Sequence, residues 1–157
     1  MPEKGPHGKY ATTLTWSPTD RATIGIDYRP ESDDLTPLVS YRLFNETKKT
    51  PAVIAGLSAD EFDKEISEIY HLIFSKRIAK IGETSLSGYV GPMYIATREE
   101  LTVTGGGTLR HNKASLMGMW SGEHFHLVGN YDINDHISAG VVWWGLDTFG
   151  VRMGVQF

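Results

Sequence analysis

His124-Phe125-His126 sets two imidazoles two residues apart, which on a strand puts both on one face. That spacing chelates a metal ion when a third ligand joins, and Glu123 and Asp132 are the nearest carboxylates in the chain. A bare pair lacks the required coordination, so the expectation is no metal and a His126 that serves as a polar group of a barrel interior. His136-Ile137-Ser138 has the spacing of a base beside a hydroxyl nucleophile. Both residues share one strand face, and the nearest downstream acid, Asp147, lies across the strand at the next turn, so no catalytic residue is assigned and the chain is read as a non-enzyme. Gly105-Gly106-Gly107 lacks the Gly-Lys-Ser/Thr of a phosphate loop and reads as a flexible connection. Asn45-Glu46-Thr47 fits a glycosylation sequon but is better explained as turn chemistry. There is no cysteine, hence no thiol nucleophile or thiolate site, and no cofactor is implied.

The elements that carry these residues have period two. Phe149, Val151, Met153, Val155 and Phe157 fall on one side of the last segment, and Thr148, Gly150, Arg152, Gly154 and Gln156 on the other. Turn-rich clusters recur along the chain at the spacing of an all-β meander. Ten strands are predicted, at residues 10–16, 22–28, 35–44, 51–57, 68–76, 85–95, 113–120, 124–131, 136–144 and 148–157. Two stretches interrupt the pattern. Ser58-Ala59-Asp60-Glu61 has the spacing of a capping box, with Phe62, Ile66, Ile69 and Ile73 at helical intervals, which predicts a short helix to about Glu65 before the next strand. Residues 97–112 hold the glycine triplet and are read as a loop, the alternative being that Leu101 to Thr104 extend a strand.

The expected fold is therefore all-β, an antiparallel up-and-down barrel of about ten strands, with residues 1–157 forming one barrel domain or the C-terminal part of a longer one. No stretch approaches the roughly 18 apolar residues of a transmembrane helix, and Met1-Pro2-Glu3-Lys4 opens no apolar leader. A net charge of −4 with scattered arginines argues against nucleic acid as a partner. The lysines (Lys4, Lys9, Lys48, Lys49, Lys64, Lys76, Lys80, Lys113) stand in or beside turns, leaving polar strand faces of Thr, Ser and Gly with a few charges. That composition suits a crowded interior, and the predicted interior-facing polar set is Asp27, Arg29, Ser40, Arg42, His126, Asn130, Ser138, Arg152 and Gln156. Charges held away from bulk water persist when paired or hydrated, so Asp27, Arg29, Arg42 and Arg152 are expected to bridge and plug a narrow lumen.

The faultless terminal alternation closing on an aromatic residue resembles bacterial outer-membrane β-barrels. The resemblance implies a lipid bilayer as surroundings, an outer-membrane location in a Gram-negative-type bacterium, and recognition of the C-terminal strand by the barrel-assembly machinery. With Phe157 at the periplasmic end, ten strands place Tyr10, Tyr28, Tyr70, Tyr131 and Phe157 near one membrane interface and Trp16, Phe74, Trp143 and Phe149 near the other. Pro51-Ala52-Val53-Ile54-Ala55-Gly56-Leu57, then Ser67-Glu68-Ile69-Tyr70 and Ser75-Lys76-Arg77, resemble a segment of the YjbH-like outer-membrane proteins over about 27 residues. This implies a non-enzymatic barrel in envelope architecture or restricted transport, with polysaccharide-export partners. His136-Ile137-Ser138 is similar to the His-x-Ser of outer-membrane lipid A deacylases, which defines a hydrolase alternative. The other alternative is a soluble lipocalin-like barrel holding an apolar ligand, lined by Leu14, Ile24, Ile26, Val141, Val151 and Met153.

Overall fold

A computed structural model describes residues 10–30, 33–62 and 65–157. The chain is a closed all-β barrel of eleven strands in sequence order: β1 (Tyr10–Trp16), β2 (Ala22–Arg29), β3 (Asp34–Phe44), β4 (Ala52–Phe62), β5 (Glu65–Ile81), β6 (Thr84–Ile95), β7 (Glu100–His111), β8 (Ala114–Trp120), β9 (Phe125–Asp132), β10 (Ile137–Trp144) and β11 (Thr148–Gln156). A single 3-10 turn, Ala96–Arg98, links β6 to β7. Each strand pairs antiparallel with its sequence neighbours, and β1 closes the ring on β11. Closure is parallel, because an odd number of alternating strands leaves the first and last running the same way.

The strand count corrects the expectation of ten. Residues 97–112 are not a loop. Most of them form β7, which pairs along its length with β6 and then with β8. Leu101, Val103 and Leu109 continue the outward alternation, and Thr102, Thr104, Thr108 and Arg110 the inward one. The glycine triplet occupies a crowded ladder: a Cβ at Gly106 would collide with the Gly118 carbonyl and come within 3.0 Å of the Tyr89 ring. Glycine there marks a close backbone approach. The predicted helix after Ser58 is also overturned as far as Phe62, since β4 runs to that residue and its backbone pairs in register with β5, Ala59 opposite Glu68 and Phe62 opposite Glu65, while residues 63–64 lie outside the described ones. A capping box followed by a single turn is marginal alone, and the ladder wins.

Because partners across a ladder share a face, the register divides the side chains into two sets. Around the whole ring, and across the seam, inner residues meet inner ones: Thr13 lies opposite Asp27 and Gly154, Ser138 opposite Gly154 and Asp132, Tyr89 opposite Gly106. The connections also define two ends. The upper end carries the turns at residues 17–21, 45–51, 82–83, 112–113 and 133–136 together with Phe157. The lower end carries Tyr10, residues 30 and 33, and the connections 96–99, 121–124 and 145–147. Sharp reversals use left-handed residues. Gly82 has φ 58° between β5 and β6, and Gly145 and Leu146 have φ 55° and 60° between β10 and β11, where Asp147 N–H closes on the Trp144 carbonyl at 2.9 Å.

Candidate functional site

The outer face is apolar around the full circumference. Leu14, Ile26, Val39, Phe74, Val90, Val103, Leu116, Val141 and Val151 are among its exposed side chains, and they come from strands on every side of the ring. Leu14, Ile24, Ile26, Val141, Val151 and Met153, the residues a soluble lipocalin-like barrel would turn inward, all stand on this outer surface. Monomeric soluble proteins rarely expose contiguous apolar area on that scale.

The interior has two halves of different chemistry. The lower half is packed. Ile69, Met93 and Ile95 form a buried cluster in which Ile95 keeps 1% of its surface, and Val128 and Val142 are buried from the opposite wall. Hydrogen bonds satisfy the polar groups in this layer. Thr104 Oγ1 donates to the Trp120 carbonyl at 2.7 Å, and the fully buried Ser67 Oγ accepts the Thr97 N–H at 3.1 Å. Buried His126 accepts the Gly145 N–H on Nδ1 at 3.0 Å, so Nε2 is the protonated nitrogen and donates to Ser121 Oγ at 3.0 Å. Among the described residues no buried side-chain nitrogen or oxygen lacks a partner. A void of about 240 Å³ remains, lined by Ile69, His71, Ile73, Tyr89, Met93 and Met119.

The upper half is open and polar. One cavity of about 570 Å³ is lined by Thr13, Thr15, Arg110, Asp132, Ser138, Arg152 and Gln156, and another of about 560 Å³ by Arg42, Ile54, Ser75 and Arg77, with Asp20, Arg21, Asn45 and Glu46 at its mouth. Arg110 pairs with Asp132, which also accepts from Asn130 Nδ2 at 3.1 Å.

The nine polar residues assigned to the interior from the sequence all lie on the inner face of their strands, but at different levels. Asp27, Arg29 and His126 belong to the lower half, and Ser40, Arg42, Asn130, Ser138, Arg152 and Gln156 to the upper. The expected plug of charges is not what fills the lumen. Asp27 pairs along its own strand, Oδ2 3.4 Å from Arg29 Nε, and accepts from Thr13 Oγ1 at 2.7 Å, while Arg42 and Arg152 bridge to nothing among the described residues. Apolar side chains do the filling. Sequence reasoning missed Met93 and Ile95 in this layer, and it missed Arg110 because β7 was read as loop; inward alternation from Thr102 to Arg110 was the available signal.

The predicted interface aromatics Tyr10, Trp16, Tyr28, Tyr70, Tyr131, Trp143, Phe149 and Phe157 are exposed, but the rims they form differ from the expected ones. Trp16, Phe74, Tyr131 and Phe157 lie toward the upper end, and Tyr10, Tyr28, Tyr70, Trp143 and Phe149 toward the lower. The extra strand is the reason, since β7 reverses the direction of every strand after it. The two chemical motifs come apart. His136, on the upper rim, places Nδ1 3.1 Å from the Gln156 carbonyl, and Asp147 lies at the far end of β10. His124 stands exposed in the lower connection, its ring 6.4 Å from that of His126, and Asp132 is at the opposite end of β9.

Comparison with protein-family models, curated proteins and solved structures finds no match to this chain. What the geometry defines is a closed eleven-stranded barrel with an apolar exterior, a packed lower interior and a polar upper vestibule.

Proposed function

We propose that this chain is a non-enzymatic barrel of a bacterial outer membrane, embedded in the lipid bilayer and occluded at its lower half, acting in envelope architecture or restricted passage. The observation that carries the reading is the unbroken apolar outer face opposite a polar upper interior. In a bilayer every strand edge must be paired, which ring closure achieves, and the outward side chains meet hydrocarbon instead of water. Aromatic side chains at both rims suit the headgroup regions. The resemblance of β4 and the lower and middle parts of β5 to the YjbH-like proteins supports a role beside polysaccharide export, with partners from that machinery, and the alternating β11 supports delivery by the barrel-assembly machinery. The test is physical. The purified chain is expected to fold only in detergent or lipid and to migrate differently on a gel when left unheated. A monodisperse, folded preparation in plain buffer refutes the membrane location.

A further inference from the structure

We infer that the upper half of the interior is a binding vestibule for oxyanions, groups such as carboxylate or phosphate that enter from the upper end and stop at the apolar layer. This deepens the proposed membrane reading, which supplies the low-dielectric wall. The inward strand-borne charges of this half are Arg42, Arg77, Lys80, Arg110 and Arg152 against Asp132, and Arg110 already occupies Asp132. Among the described residues the guanidinium groups of Arg42, Arg77 and Arg152 have no ion-pair or hydrogen-bond partner. Carboxylates do approach at the mouths. Asp135 lines the first cavity, and Asp20 and Glu46 the second, where Glu46 Oε1 accepts the backbone N–H of Arg77 at 3.2 Å.

A second observation is axial. Among the described residues Lys48, Lys49, Lys76, Lys80 and Lys113 stand with Arg21, Arg42, Arg77 and Arg110 at or near the upper end and outnumber its acids Asp20, Glu46, Glu83, Asp132 and Asp135, whereas the lower end carries Asp33, Asp34, Glu99, Glu100, Glu123 and Asp147 against Arg29 and Arg98. A chain of net charge −4 therefore presents a basic end. Like charges lining a concavity with low-dielectric walls focus the field and concentrate counter-ions. Guanidinium groups add geometry, because each offers a planar fork matching a carboxylate or phosphate. The lower layer of Ile69, Met93 and Ile95 offers an anion no partner, so the site is a cup closed below.

The experiment titrates the barrel, folded in neutral maltoside micelles at low salt, with pyrophosphate, trigalacturonate and neutral cellotriose by calorimetry. Both anions are expected to bind and cellotriose not. Tighter binding of trigalacturonate assigns the vestibule to acidic saccharides, and tighter binding of pyrophosphate assigns it to phosphorylated solutes. Arg152→Gln should weaken binding about tenfold, the scale of one lost charge-assisted hydrogen bond, and Arg42→Gln with Arg77→Gln by more than that. Lys48→Gln with Lys49→Gln, in the rim turn, should weaken it less, through the long-range field alone. Affinity of the unmodified barrel should fall steeply with salt, a readout that survives a variant's failure to fold. Equal binding of cellotriose, no anion binding, insensitivity to salt, indifference to the arginine changes or an equal loss from the lysine changes overturns the inference. The two readings fail separately. Folding in plain buffer removes the membrane location, while absence of anion binding by a barrel that folds only in detergent removes the vestibule.

Discussion

Val141→Arg separates a bilayer from water as the medium outside the barrel. Val141 sits in the middle of β10 on the outer face, 42% exposed, opposite Val151 on one neighbour and Gly129 on the other. An arginine there has room, since the glycine opposite carries no side chain, so packing strain contributes little. In water the change is an ordinary surface substitution, within about 0.5 kcal/mol plus a strand-preference term of up to about 1 kcal/mol. At the midplane of a bilayer the same guanidinium costs about 2–4 kcal/mol, roughly a 30- to 1,000-fold loss in the ratio of folded to unfolded chains. Leu35→Arg supplies the depth control. Leu35 is also outward, but it lies near the lower end of β3, where an interface costs only about 0–1 kcal/mol. Reversible denaturant unfolding in lipid vesicles, followed by tryptophan fluorescence, measures both. The expected result is a large cost at Val141 and a small one at Leu35. Equal, small costs at the two positions refute the assignment of the outer face to hydrocarbon.

Gly91→Ala should destabilise the barrel by about 1–3 kcal/mol or more in the same assay, because the new Cβ collides with the Leu72 carbonyl and lies 3.0 Å from Ile73 Cα, both backbone atoms that cannot swing away. His126→Ala should cost about 1–3 kcal/mol by stranding the Gly145 N–H, whereas His124→Ala, at an exposed side chain, should stay within about 0.5 kcal/mol; similar values for both contradict the assigned network. In planar bilayers the unmodified barrel should conduct little. Arg42→Ala and Arg152→Ala should leave it so, since neither forms a bridge, while Met93→Ala with Ile69→Ala should raise conductance by thinning the apolar layer. A rise from the arginine changes alone would move the constriction to the upper half.

Legibility in the sequence followed exposure. Where one face meets the outside and the other a crowded interior, as from Thr148 to Gln156, strict alternation recorded both the strand and its faces. The apolar layer of the lower interior broke that rule, since Ile69, Ile73, Met93 and Ile95 are inward on strands whose outward residues are apolar too. With both faces apolar, period two fades and a helical spacing becomes readable in Ile66, Ile69 and Ile73. The glycine triplet hid β7 for a different reason. Gly106 makes room for Tyr89 and the backbone of β8, a requirement set by strands distant in sequence and invisible to local turn chemistry.

Missing one strand matters more in an up-and-down barrel than in most folds, because direction alternates and each later residue changes ends. With ten strands, Lys113 would fall at the lower end and Glu123 and Asp147 at the upper, and the charges would look mixed. Counting β7 brings Lys113 to the same end as Lys80 and sends both acids to the far rim. The axial charge separation behind the anion vestibule is thus a consequence of parity. So is the seam. An odd count makes β1 and β11 parallel, with slanted bonds slightly weaker per residue, and the upper end of the seam carries added fastenings. Phe157 N–H reaches the Thr15 carbonyl at 3.0 Å, Ser17 N–H the Phe157 carbonyl at 3.3 Å, and Gln156 Nε2 the Ser17 hydroxyl at 3.3 Å. A slip of one residue there would turn Arg152 and Gln156 outward and Val151 and Val155 inward. The parallel seam therefore holds only in the register that keeps the vestibule's charge inside the ring.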